Sequence, residues 1–230
     1  MKVELIKILS EFTKDDIIRI EKSDPQFVAL KKLYQKIEDK NLFIKFVLIN
    51  ALISYQLQTT GEKYWQNFSE FFSIKKRKPD DFYQFIQIYN KRLINQRQKR
   101  LKKVLECVAK TDDNFLAKSM NNPMLLLDFL STCLKQKKDA KTIVFSIKMF
   151  LYSLDIVYEK HHFAPFGIML PIDSRIKKIS SDKSFWFDIE KKTAIPLLHL
   201  DSIIWNALNH ENNQPKLIKL RNFLHLQLYN

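Results

Sequence analysis

Glycine is nearly absent from this chain. Gly61 and Gly167 are the only two in 230 residues, where average usage of about 7% would give roughly 16. Glycine alone takes up positive-φ backbone without steric cost, so tight turns and phosphate-cradling loops are built from it. Two isolated glycines leave no dinucleotide fingerprint, no P-loop, no kinase loop and no Gly-x-Ser-x-Gly elbow. Sheets joined by many short glycine turns are disfavoured for the same reason. The expectation is an all-α chain.

Helical periodicity supports this from end to end. Phe27, Leu30, Tyr34 and Ile37 follow a 3-4-3 spacing behind Asp24-Pro25, a good helix start. The segment from Leu42 to Leu57 is apolar nearly all round, which predicts a central buried helix. Phe82, Phe85, Ile86, Tyr89 and Leu93 form the next apolar stripe, and the segment then turns basic with Arg92, Arg97, Lys99, Arg100, Lys102 and Lys103. Pro123 opens an apolar helix through Leu134. A hydrophilic connection, Lys135 to Asp139, leads into a long helix from about Ala140 to Tyr158. His161 to Pro171 reads as irregular, and Asp173 stands where an N-cap would stand for Ser174 onward. Two more helices are predicted, about Leu198 to Asn209 and Pro215 to Leu228.

The charge narrows the partners. Thirty-nine Lys and Arg against 25 Asp and Glu give +14, a balance suited to a polyanion, either nucleic acid or an anionic membrane surface. No apolar run is long and clean enough to span a bilayer, since Leu42 to Leu57 contains Lys45, Asn50 and Gln56. Glu4, Lys7 and Glu11 interrupt any signal-peptide core. Cys107 and Cys133 form no metal-spaced pair and imply no disulfide framework, which points to a reducing, cytoplasmic setting. The five histidines fall in no zinc spacing, and no metal is expected. Composition alone leaves two readings open: a helical domain with a solvated basic surface, or a nucleic-acid binder.

Two residues carry candidate chemistry. Lys141 stands in the first turn of the predicted long helix, where the helix dipole disfavours a cation. That cost depresses an amine's pKa, and a Schiff-base nucleophile must be a neutral amine. Most lysines at helix starts are simply solvated. Asp173 is an N-cap by position. It is also a carboxylate that such capping bonds would hold in place.

Several separated segments run in order along the chain: Asp24-Pro25-Gln26-Phe27, Asn50 to Leu57, Gly61-Glu62 with Trp65 and Phe68, Lys141 to Lys148, Pro171 to Arg175, and Ile195 to Trp205. Through them the sequence resembles the archaeal 8-oxoguanine DNA glycosylases, the AGOG family, a branch of the helix-hairpin-helix glycosylase/lyase superfamily. The region from about 69 to 135 carries little of this resemblance.

The resemblance implies a bifunctional enzyme that excises 8-oxoguanine from DNA and cuts the backbone by β-elimination. Lys141 would be the nucleophile and Asp173 the essential carboxylate. The target base must be flipped out of the duplex into a pocket. Phe145 and Trp205 would sandwich the purine, with Gln26, Trp65, Lys148 and Asp201 as polar contacts. Lys135, Lys137 and Lys138 would meet the DNA backbone from a hairpin that lacks the family's usual glycines, and Gln56 could fill the gap left by the flipped base. The fold expected is all-α with two helical lobes and an active-site cleft between them. The middle lobe would span 41–163, and the second would be formed by 1–40 with 164–230. The protein would be a monomer, without cofactor, metal cluster or membrane association. A monofunctional glycosylase for another damaged purine and a non-enzymatic helical DNA-binding protein remain the alternatives.

Overall fold

The computed structural model describes residues 1–74, 76–209 and 214–228. All regular structure among them is helical, and none of these helices is long and apolar enough to cross a membrane. The chain divides into two compact units, one of Pro25–Phe163 and one of Met1–Asp24 with Ala164–Asn230.

The Pro25–Phe163 unit is built on α4 (Lys40–Ile53) and α10 (Lys141–Tyr158), which pack on each other along their lengths. Both are buried nearly all round, as the absence of a polar face in 42–53 and 143–157 requires. Around them stand α3 (Pro25–Tyr34), α5 (Gly61–Phe72), α6 (Phe82–Tyr89), α7 (Ile94–Val108), α8 (Asp113–Asn121) and α9 (Pro123–Cys133). Phe46, Phe68, Phe72, Phe82 and Phe85 interlock by tilted, edge and stacked contacts, the nearest being Phe72 and Phe82 at 4.3 Å between centroids. Residues 25–40 belong to this unit and not with the chain ends, because α3 packs on α5 and α10.

The other unit contains α1 (Lys2–Leu9), α2 (Lys14–Ser23), α11 (Ser174–Ile179), α12 (Lys183–Thr193), α13 (Leu197–Asn209) and α14 (Pro215–Leu228). Inside it, Glu21 of α2 accepts from Ser202 Oγ at 2.8 Å and meets His199 Nδ1 at 2.8 Å. His199 Nε2 accepts from the Ala164 N–H at 2.9 Å, so the imidazole proton sits on Nδ1 and both nitrogens are engaged. This network fixes α13 on α2 and the entry of the irregular 164–171 segment. Glu190 adds a second tie. Its carboxylate accepts from the N–H groups of Gly167 and Leu197, the latter opening α13.

Polar caps replace glycine at the helix starts. Thr13, Asp39, Thr60, Asp112, Asn122, Asp173 and Asp182 each accept a backbone N–H of the helix they precede. Several helix ends keep the left-handed backbone that glycine usually supplies, but with other residues in it. Lys135 (φ 51°), Glu159 (φ 52°) and Ala194 (φ 53°) follow α9, α10 and α12. Each such position costs a non-glycine residue about 1 kcal/mol.

Cys107 of α7 and Cys133 at the end of α9 are joined by a disulfide, with their Cα atoms 6.0 Å apart. This corrects the expectation from cysteine count, which therefore carries no argument for a reducing compartment. Residue spacing in the sequence does not show that the end of α9 comes back to Cys107 of α7.

Candidate active site

Ala140 caps α10 with extended backbone and no side-chain hydrogen bond. Ala140 itself thus offers no side-chain acceptor to the first-turn N–H groups and their partial positive charge. Lys141 opens the helix and is exposed. One and two turns on, Phe145 is half-buried and Lys148 is buried, and the 141-145-148 spacing puts all three on one helical face. The Phe145 ring meets Trp65 of α5 edge-on, 6.1 Å between centroids. Trp65 is wholly buried, yet its indole N–H makes no hydrogen bond to another protein group. Leaving such a donor unpaired costs about 1–3 kcal/mol, an outlay that a ligand acceptor would relieve. Lys148 Nζ lies 5.7 Å from the centre of the Tyr152 ring. Gln26 is buried in the first turn of α3.

In the other unit, Asp173 caps α11 by accepting from the N–H groups of Arg175 and Ile176, both at 2.9 Å. Its second oxygen takes Arg175 Nη2 at 3.0 Å and Nε at 3.2 Å. The same guanidinium lies 3.6 Å from the centre of the Trp205 ring, a close cation–π stack. Asp173, Arg175, Asp201 and Trp205 line a pocket together with the apolar Ile176, Ile204 and Leu208. Asp201 and Trp205, four residues apart on α13, present one face to it, and the Trp205 indole N–H has no protein acceptor. Lys141, Phe145, Lys148, Trp65 and Gln26 therefore belong to one unit, and Asp173, Asp201 and Trp205 to the other.

The connection from α9 to α10 makes its turn without glycine. Lys135 takes the left-handed position, its N–H bonded to Thr132 O at 3.2 Å, and the Gln136 N–H reaches Ser131 O at 2.9 Å. These two bonds form a Schellman motif. Ser131 Oγ closes the turn on Gln136 O at 2.7 Å. Lys135, Lys137 and Lys138 are all exposed, and Lys138 is paired with Asp128 at 2.6 Å. Gln56 is exposed too, in left-handed backbone (φ 46°).

The basic stretch 92–103 is not one solvated face. Arg97 is wholly buried and donates to Ile53 O at 2.7 Å and Tyr55 O at 2.9 Å. Arg100 donates to Leu52 O at 2.8 Å. Both arginines thus sit on carbonyls at and just past the end of α4, the negative pole of that helix. The burial of Arg97 was visible in sequence, since 97, 101, 104 and 108 form one helical stripe with three apolar members; that of Arg100 was not. Sequence reading also missed Asn50, whose fully buried amide makes no hydrogen bond to another protein group, and the Arg175 stack.

Known proteins match this chain over nearly its whole length. The family model described as AGOG, N-glycosylase/DNA lyase, matches residues 6–228. An N-glycosylase/DNA lyase of Nanoarchaeum equitans is 37% identical over 228 residues, covering 97% of this chain and 99% of the relative. One of Methanococcus maripaludis is 35% identical over 221 residues, covering 89% and 86%. Among solved structures, the 8-oxoguanosine complex of the 8-oxoguanine DNA glycosylase from Pyrobaculum aerophilum matches with a TM-score of 0.81. That match is 23% identical and covers 95% of this chain and 94% of the other.

Proposed function

The chain belongs to the AGOG family of N-glycosylase/DNA lyases, and from that premise we propose that it excises 8-oxoguanine from DNA and cleaves the resulting abasic site by β-elimination. The observation that carries the reading is the setting of Lys141: an exposed amine at the start of a helix whose N-cap residue, Ala140, brings no side-chain acceptor.

In this scheme the neutral Lys141 amine attacks C1′ while the bond from C1′ to the base breaks and the base leaves with the bonding electrons. The amine loses a proton, the sugar ring opens, and a Schiff base forms between Lys141 Nζ and C1′. That iminium acidifies the C2′ proton. Its removal drives the electron pair into the C2′–C3′ bond and expels the 3′ phosphate. Asp173, held by its capping bonds and by Arg175, balances the positive charge that develops on the sugar and the amine.

Phe145 and Trp205 supply the aromatic faces for the flipped base. Trp65, with a buried N–H lacking a protein acceptor, donates to an oxygen or ring nitrogen of the purine. Asp201 accepts from its N1 and 2-amino hydrogens, and Gln26 and Lys148 complete the polar contacts. Lys135, Lys137 and Lys138 meet DNA phosphates, and Gln56 enters the space vacated by the flipped nucleotide. The protein acts as a monomer.

The test is to incubate the protein with duplexes containing 8-oxoguanine or guanine and to follow base release and strand cleavage separately. Both products from the 8-oxoguanine duplex alone support the reading. Base release without cleavage would make the enzyme monofunctional, and neither product would sink the proposal.

A further inference from the structure

Arg100 joins three pieces of chain that are distant in sequence. Its Nε donates to Leu52 O at 2.8 Å, and its Nη2 donates to Thr142 Oγ1 at 2.9 Å and Gln136 Oε1 at 3.1 Å. Thr142 Oγ1 and Gln136 Oε1 also meet each other, at 3.3 Å. One guanidinium therefore ties the end of α4 to the hairpin and to the first turn of α10. Thr142 is the residue after Lys141. We propose that Arg100 is a positioning residue for the reaction, fixing the first turn of α10 and with it the Lys141 amine. The proposal rests on the nucleophile reading of Lys141.

Three observations make this placement more than general packing. First, the hairpin has no glycine, and its tight turn carries the strain of Lys135 in left-handed backbone, so its geometry needs an outside restraint. Second, Ala140 gives the start of α10 no side-chain cap. The Thr142 hydroxyl, gripped by Arg100 and Gln136, gives that turn a polar tie to the hairpin and to the end of α4. Third, the chemistry demands arginine. The separate N–H directions of a planar fork reach a carbonyl on one side and two side-chain oxygens on the other, which a lysine ammonium cannot do from one place.

The charge is accommodated as well. Arg97 and Arg100 lie 4.4 Å and 5.4 Å from the centre of the Tyr55 ring. The ring and the α4 carbonyls face two cations that would otherwise repel. Burial pushes the Arg100 guanidinium below its ordinary pKa, with Arg97 acting in the same direction and Tyr55 opposing.

The experiment is single-turnover strand cleavage and borohydride trapping at saturating 8-oxoguanine duplex, with native protein, K141Q, R100M, R100K, T142V and R100M/T142V. Melting curves on each give the folded fraction. A misplacement of about 1 Å costs up to about 100-fold in rate. R100M is therefore expected to lower the saturated rate by about tenfold or more, with the half-saturating DNA concentration held within about threefold. R100K should not restore the rate. T142V should lower it in the same sense, and the double variant should lose little beyond R100M, since both act through one contact.

If R100M does not fold, T142V alone decides by the same rate criterion. A saturated rate within about twofold of native in the folded variants, or a loss that only follows the folded fraction, overturns the proposal. So does weaker DNA binding at unchanged saturated rate, which would make Arg100 a phosphate contact. Trapping that survives in K141Q overturns the nucleophile reading itself. Trapping lost in K141Q but intact in R100M and T142V overturns the Arg100 role alone.

Discussion

Replacing Lys135 with glycine should stabilise the fold and weaken its hold on DNA at the same time. Lys135 sits at φ 51° in the position after the α9 cap, inside the two-bond turn made with Thr132 and Ser131. A side chain there costs about 1–2 kcal/mol in left-handed backbone. Glycine removes that strain but adds about 0.5–1 kcal/mol of entropy to the unfolded chain. The net expectation is a gain of up to about 1 kcal/mol. For a chain of this size that raises the melting temperature by about 2–4 °C. The variant also loses an exposed cation from the hairpin. If Lys135 neutralises one phosphate, the slope of log affinity against log salt becomes shallower by about 0.9. Calorimetry and a salt series of anisotropy titrations read the two effects independently. Unchanged or lower stability would refute the strain argument. A stabilised variant with the native salt slope would remove Lys135 from the DNA contacts while leaving the strain argument intact.

Other positions give equally direct outcomes. Gly167 is held at φ +85°, and a Cβ there would meet nothing within 4 Å, so Gly167→Ala should cost about 1 kcal/mol from backbone strain alone. A larger loss in calorimetry would mean the site is sterically closed. Burial alone would raise the Asp16 carboxyl, but hydrogen bonds from Lys216, Thr13 and Arg19 outweigh it and hold it well below the usual carboxylate range. Its contribution to stability is therefore present above the unfolded value of about 3.9 and lost as pH falls below it. Asp16→Asn should cost about 2 kcal/mol at neutral pH, with the gap to native narrowing in acid. A gap that stays constant in urea midpoints down to about pH 2 would contradict this assignment. Arg175→Met should free the Trp205 face and tighten binding of free 8-oxoguanine, read by tryptophan fluorescence, by up to about thirtyfold, the cation–π stack being worth about 0.5–2 kcal/mol. Weaker binding would instead make Arg175 a ligand of the base.

Much of the helical framework was legible because apolar spacing and cap residues report local structure. The long helix expected over 140–158 runs Lys141–Tyr158, and Asp24-Pro25 does open a helix. What escaped depends on contacts distant in sequence. The helix expected over 42–57 stops at Ile53, and the three carbonyls near its end are taken by Arg97 and Arg100. The stripe from Phe82 through the basic residues is broken into α6 and α7 by Asn90 to Leu93, with Leu93 in left-handed backbone that no residue preference announces. The Cys107–Cys133 link requires knowing that the end of α9 comes back to α7. For the candidate site, residue types at helical spacing grouped Lys141 with Phe145, and Asp201 with Trp205, while Lys148 entered through the family resemblance alone. The Arg175 stack and the Arg100 clamp were hidden because an arginine beside a helix cap or within a basic stretch reads as solvated charge.

The central claim is that Lys141 forms the covalent bond to the damaged nucleotide. Borohydride reduction of the protein on an 8-oxoguanine duplex, followed by proteolysis and mass mapping, reads that bond directly. The account predicts a single DNA adduct on the peptide containing Lys141, absent from K141Q. An adduct on another lysine, or base release with strand cleavage and no adduct, would contradict it.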